Sequence, residues 1–85
     1  MSSTLLPTGR QVAAARALLG MTQKDLADCT GLAPNTLVSF ERGERIPTEQ
    51  TRQTVRSALE ARGIIFSNGD RPSVTLDKAK AIIPI

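Results

Sequence analysis

Four glycines cut most of this chain into lengths too short to be anything but helices leaning on one another. Gly20, Gly31, Gly43 and Gly63 each follow a stretch whose apolar residues recur at helical spacing. A glycine just past the last such residue is a stop signal, because it takes the left-handed backbone that ends a helix. The segments carry Val12, Ala15, Leu18 and Leu19, then Leu26 and Ala27, then Leu37 and Phe40, then Thr51, Val55, Ala58, Leu59 and Arg62. Starts are marked as clearly. Thr8, Thr22 and Thr48 are capping residues, Asp25 and Glu49 suit a positive helix start, and Pro34 suits a first helical turn. The middle two helices, of about eight to ten residues each, are unstable alone in water and must pack on the other two.

The pattern changes after Gly63. Ile64-Ile65-Phe66-Ser67 and Ser73-Val74-Thr75-Leu76 are β-prone runs around the turn-rich Asn68-Gly69-Asp70-Arg71-Pro72, which predicts a hairpin with a longer loop. Ile64, Phe66, Val74 and Leu76 share one face. A helical turn is expected over Asp77 to Ala81, followed by the apolar Ile82, Ile83 and Ile85. A two-stranded hairpin is marginal alone, so its apolar face needs cover, from helix 4 or from a second subunit. Ile64, Phe66, Val74, Leu76, Ile82 and Ile83 are accordingly expected to form a dimer or partner surface. Residues 1–7 read as a flexible lead, 8–62 as the helical domain, and 63–85 as the hairpin and apolar tail.

Composition removes whole classes of function. A chain of 85 residues is one domain at most. One cysteine and no histidine exclude an internal disulfide, leave no ordinary zinc ligand set, and remove the commonest catalytic base. With no phosphate-cradling glycine loop, an enzyme is not expected, and neither is a cofactor or metal. Met1-Ser2-Ser3-Thr4-Leu5-Leu6-Pro7 has no basic, apolar leader pattern, and no apolar run approaches a membrane span. A single free thiol, Cys29, fits a reducing cytoplasm and reads as a small semi-buried apolar residue. Eleven Lys and Arg against eight Asp and Glu give a net charge of +3. That mild excess does not specify a partner. The stretch from Thr22 to Arg45 holds Lys24, Arg42 and Arg45 against Asp25, Asp28, Glu41 and Glu44, and so is not positive at all. Arg52, Arg56 and Arg62 read as solvated or intramolecular.

The paired short helices are specified more closely. Ala27 is small where two helix backbones come near, and Gly31 allows a sharp turn. Leu26, Leu32, Leu37 and Phe40 point inward. Gln23, Pro34, Asn35, Thr36, Val38 and Ser39 point outward. This is a helix-turn-helix, with the third helix, about residues 33–42, as candidate reader of the major groove. In Arg16, Met21-Thr22-Gln23-Lys24-Asp25-Leu26-Ala27, Gly31-Leu32, Thr36-Leu37, Phe40-Glu41-Arg42-Gly43 and Pro47, the chain resembles the lambda-repressor-like (Cro/cI, XRE-type) family of bacterial and phage DNA-binding domains. The resemblance spans residues 8–62. It implies a mostly α, compact bundle of four or five helices that binds double-stranded operator DNA as a symmetric dimer.

The resemblance also implies roles. Gln23 stands at a phosphate-contacting position, where free N–H groups and the helix dipole favour an anion. Pro34, Asn35, Thr36 and Ser39 match base- and backbone-facing positions. Asn35 is the best base reader, since its amide can bond adenine N6 and N7 together, and Val38 can touch a thymine methyl. Pro34 departs from the polar donor usual there, which moves readout toward apolar contact and DNA shape. Lys24, Arg42 and Arg45 suit phosphates. Arg16 and Glu41 match a structural ion pair. The expected function is a sequence-specific transcription regulator, a small repressor or autoregulator. The alternative is a protein-interaction module on the same fold, an antitoxin or antiactivator, supported by the apolar tail and by the weak hydrogen-bonding capacity of Pro34 and Val38.

Overall fold

Threonine hydroxyls begin three of the four helices. In the computed structural model, which describes residues 6–77 and residue 79, the elements are α1 (Gly9–Leu19), α2 (Gln23–Thr30), α3 (Pro34–Glu41), α4 (Glu49–Glu60), β1 (Ile64–Ser67) and β2 (Ser73–Leu76). Thr8 Oγ1 accepts from the Gln11 amide at 3.2 Å, while Gln11 Oε1 accepts from the Thr8 amide at 2.9 Å. Thr22 and Asp25 repeat this reciprocal box at 3.0 and 2.9 Å. Two otherwise orphaned amides are satisfied at each helix start. The carboxyl of Asp25 is held below its ordinary value, first by the Thr22 backbone N–H and then by the Thr22 hydroxyl. Thr48 caps α4. α3 has no side-chain cap; Pro34 at its first position needs none for its own nitrogen, which carries no hydrogen.

The core is one cluster fed by every helix and by one strand: Val12, Ala15, Leu19, Leu26, Ala27, Leu37, Phe40, Val55, Leu59 and Ile64. Gly31 closes α2 at φ 75, so the chain turns within three residues and sets α3 across α2. No helix among the described residues is long and apolar enough to cross a membrane.

The hairpin has the expected strands, in the register Ile64↔Leu76, Ile65↔Thr75, Phe66↔Val74 and Ser67↔Ser73. Its apolar face is at least partly covered by the chain's own helices. Ile64 is in the core, and Phe66, Val74 and Leu76 pack against it. The cause is geometric: β2 lies on α1 and β1 on α4, so the strands cover the apolar seam between those helices. Gln11, itself buried, fastens the cover by donating to the carbonyls of Ser67 and Ser73 at 3.1 and 3.2 Å. Ile82 and Ile83, and most of the expected turn over Asp77 to Ala81, lie outside the described residues.

Other expectations need correction. Leu6 and Pro7 are not a loose lead: Pro7 is fully buried, and the Leu6 carbonyl accepts from Asn68 Nδ2 at 3.4 Å. Cys29 is exposed, not semi-buried. The inward stripe of α2 runs through Leu26, Ala27 and the half-buried Thr30, and Cys29 lies roughly 100° off it at 100° per residue. Arg56 and Arg62 are intramolecular, bonded to Glu60 and to the Ala58 carbonyl. Arg52 is half-buried, with its Nε enclosed and without a hydrogen-bond partner.

Gly9 has a role that spacing did not reveal. It is buried at the first position of α1, where a Cβ would overlap the backbone carbonyl of Phe40. The start of α1 therefore touches the end of α3 backbone to backbone. Replacing a helical glycine by alanine ordinarily stabilises by about 0.5–1 kcal/mol. At Gly9 the sign should reverse, with Gly9→Ala losing about 2–3 kcal/mol or more in urea unfolding because backbone, not a flexible side chain, must move. Unchanged or increased stability of that variant would contradict the close approach.

Candidate nucleic-acid interface

The surface is organised from beneath by one ion pair. Arg16 of α1 reaches the last residue of α3, donating from Nε to Glu41 Oε2 at 2.7 Å and from Nη2 to Glu41 Oε1 at 2.6 Å. The side chains are 18% and 4% exposed, so the carboxylate is almost wholly out of water. A fork of two parallel charge-assisted bonds is the strong geometry for this pairing. The bond to Glu41 holds Arg16 more firmly protonated than usual. Arg16 Nη1 also donates to the Met21 carbonyl at 3.0 Å, fixing the loop into α2.

Gln23, at the first position of α2, joins the same carboxylate: its Nε2 donates to Glu41 Oε1 at 3.1 Å. Expected as an outward phosphate contact, it is half-buried and tied to the end of α3. One amide hydrogen is used and one remains, with the carbonyl oxygen. The start of α2 still carries unpaired donors. Thr22 satisfies the amides of Asp25 and Leu26, and the amides before them have no intrahelical partner. Lys24 is exposed and bridged to Asp28 at 3.0 Å.

On α3 the inward residues Leu37, Phe40 and Glu41 are buried. Pro34 and Asn35 are exposed, Thr36, Val38 and Ser39 half-buried, and Arg42 exposed at the helix end. Asn35, Val38, Ser39 and Arg42 follow the spacing that puts residues on one helix face. The outward row is thus continuous with Arg42. Arg45 is exposed in the following loop and, like Arg42, has no ion-pair partner among the described residues. Within Thr22 to Arg45, Glu41 is neutralised by Arg16 and Asp28 by Lys24, leaving the two arginines against Asp25 and Glu44. No group of residues able to hold a metal ion occurs among those described.

Spacing and family likeness marked Arg16 and Glu41, but the roles of Met21 and Gln23 in the network went unread. No pattern signals a backbone carbonyl as a partner. The glutamine-to-glutamate bond depends on how α2 crosses α3.

Two short helices across a tight glycine turn, the second with its outer face clear of the core, define a helix-turn-helix domain. The helix-turn-helix family model matches residues 12–63, and the chain belongs to this family of Cro/cI-type, XRE-like domains. The family is one of DNA-binding regulatory domains, not enzymes. Comparison with curated proteins returned no match.

Removing one partner of a buried pair leaves the other charged and unsatisfied. Arg16→Met is therefore expected to cost about 3 kcal/mol, and Arg16→Met with Glu41→Leu less than the sum of the single losses, by about 1 kcal/mol or more. Denaturant unfolding of the three variants checks this. Additive losses, or an Arg16→Met protein as stable as the parent, would rule the coupling out.

Proposed function

We propose that this chain is a sequence-specific transcription regulator, a small repressor or autoregulator, that lays α3 in the major groove of double-stranded operator DNA. The observation that carries the reading is the outward row Asn35, Val38, Ser39 and Arg42, held clear of the core beside the start of α2. Asn35 reads adenine through its amide. Val38 meets a thymine methyl, Thr36 and Ser39 supply hydroxyls, and Pro34 contributes apolar contact. The unpaired amides at the start of α2, the remaining Gln23 amide hydrogen and Lys24 take one backbone phosphate. Arg42 and Arg45 take phosphates past the other end of the helix. The charge within this surface is nearly balanced, so affinity depends on placement, not on an overall positive field.

The eight residues of α3 span about 12 Å at 1.5 Å per residue, enough for only a few base pairs. We therefore include a symmetric dimer in the reading, with two copies of α3 one DNA turn, roughly 34 Å, apart. The alternative, a protein-interaction module, rests on the apolar tail and on the weak hydrogen-bonding capacity of Pro34 and Val38; of that tail, Ile64 is in the chain's own core, with Phe66, Val74 and Leu76 partly buried against it.

Selection of bound sequences from random duplex DNA tests the proposal, with an inverted repeat as the expected product. On the recovered duplex, Asn35→Ala should cost about 1–3 kcal/mol and relax one base position, while its binding to unrelated DNA stays as it was. Recovery of no shared sequence, or equal loss on unrelated DNA, would defeat the base-reading role.

A further inference from the structure

Asn68 ties the hairpin loop to the start of α1. Its side chain is half-buried, and its Nδ2 donates to Gln11 Oε1 at 3.2 Å and to the Leu6 carbonyl at 3.4 Å. Both partners are acceptors. Gln11 is free to offer nothing else, because its Oε1 also accepts from the Thr8 amide at 2.9 Å and its Nε2 donates to the Ser67 and Ser73 carbonyls. Turning that amide over would break every one of these bonds. The place held by Asn68 Nδ2 therefore demands a donor.

The residue that follows makes this donor chemically vulnerable. Gly69 is exposed, has no side chain to crowd the asparagine, and sits at φ 114, a backbone that favours glycine. Its amide nitrogen has no hydrogen-bond partner among the described residues. Once that nitrogen gives its proton to a base in solution, it can attack Asn68 Cγ. The new N–C bond closes a succinimide ring, the Cγ–Nδ2 bond breaks, and the side-chain nitrogen leaves as ammonia. Water then opens the ring at either carbonyl, giving aspartate or isoaspartate. One water is taken up and one ammonia released. The chain's other asparagine, Asn35, lacks this opportunity: the amide after it, that of Thr36, is bonded to the Ala33 carbonyl at 3.0 Å.

We propose that Asn68 is a site of spontaneous deamidation, and that the change unlatches the hairpin from α1. The product carboxylate has no hydrogen to give and faces two acceptor oxygens, so two attractive contacts become repulsive ones. Gln11 cannot turn to meet it without releasing both strands. The isoaspartyl product also adds a methylene to the backbone next to Ser67, whose pairing with Ser73 closes the hairpin. None of these bonds involves α3, and the inference does not rest on the DNA-reading function.

The test holds the full chain, folded, in mildly alkaline buffer for days and then maps it by mass spectrometry. The mass gain of an amide-to-acid conversion should appear in the peptide containing Asn68, while the peptide containing Asn35 keeps its mass. Asn68→Asp should lower the thermal midpoint by roughly 5 °C or more, and Asn68→Ala by less, since alanine loses the donors without adding a charge. Amide hydrogen exchange in Asn68→Asp should quicken in β1 and β2 before it does in α3. Where Asn68→Asp does not fold, the aged parent supplies the same readings. No faster gain at Asn68 than at Asn35 would overturn the modification site. Asn68→Asp or a deamidated parent with the thermal midpoint of the fresh chain, or Asn68→Ala losing as much as Asn68→Asp, would overturn the latch.

Discussion

The carboxylate of Glu41 is where the first three helices meet. It sits at the last position of α3, receives two bonds from Arg16 of α1, and receives a third from Gln23 of α2. Burying a carboxylate is costly unless charge and hydrogen bonds replace the lost water. Here an opposite charge and three donors do so. The satisfied site then admits few relative placements of the helices. A slide of α3 by one residue would move the carboxylate off the guanidinium fork and strand two charges. Apolar packing of Leu26, Leu37 and Phe40 would tolerate such a slide more readily, since it has no direction.

That constraint connects stability to the exposed surface. Gln23 starts α2, and Arg42 follows Glu41 immediately. Fixing Glu41 therefore fixes the two ends of the surface that faces outward. Gly9 presses α1 onto the Phe40 carbonyl, one residue before Glu41, so the same end of α3 is held from a second side. The hairpin completes the body from the far side of α1, with Gln11 bonded to both strands. The outward row of α3 takes no part in that network; Asn35 and Arg42 are exposed, and Val38 and Ser39 are half-buried.

Much of this was legible in the order of residues. Capping threonines and glycine stops set the four helices, because their signals are local and each acts within one turn. The alternation of Ile64, Phe66, Val74 and Leu76 set the hairpin and its apolar face. What covers that face was not legible, since alternation reports that a side is apolar and not what lies against it. The burial of Pro7 and the close approach at Gly9 were missed for the same reason: each depends on an element distant in sequence. Among the site residues, the outward row of α3 followed from helical spacing. The tie between Gln23 and Glu41 did not, because it is set by the crossing of two helices.

We propose that the face of α3, held by the Glu41 network, is the surface that meets DNA. Backbone amide chemical shifts of the full chain, followed as duplex DNA is added, test it most directly. The predicted result is that the largest changes fall at Gln23 and Lys24, along Asn35 to Ser39, and at Arg42 to Arg45, with β1, β2 and the outer face of α4 nearly unmoved. Changes concentrated on the hairpin or on the outer face of α4, with α3 silent, would contradict it.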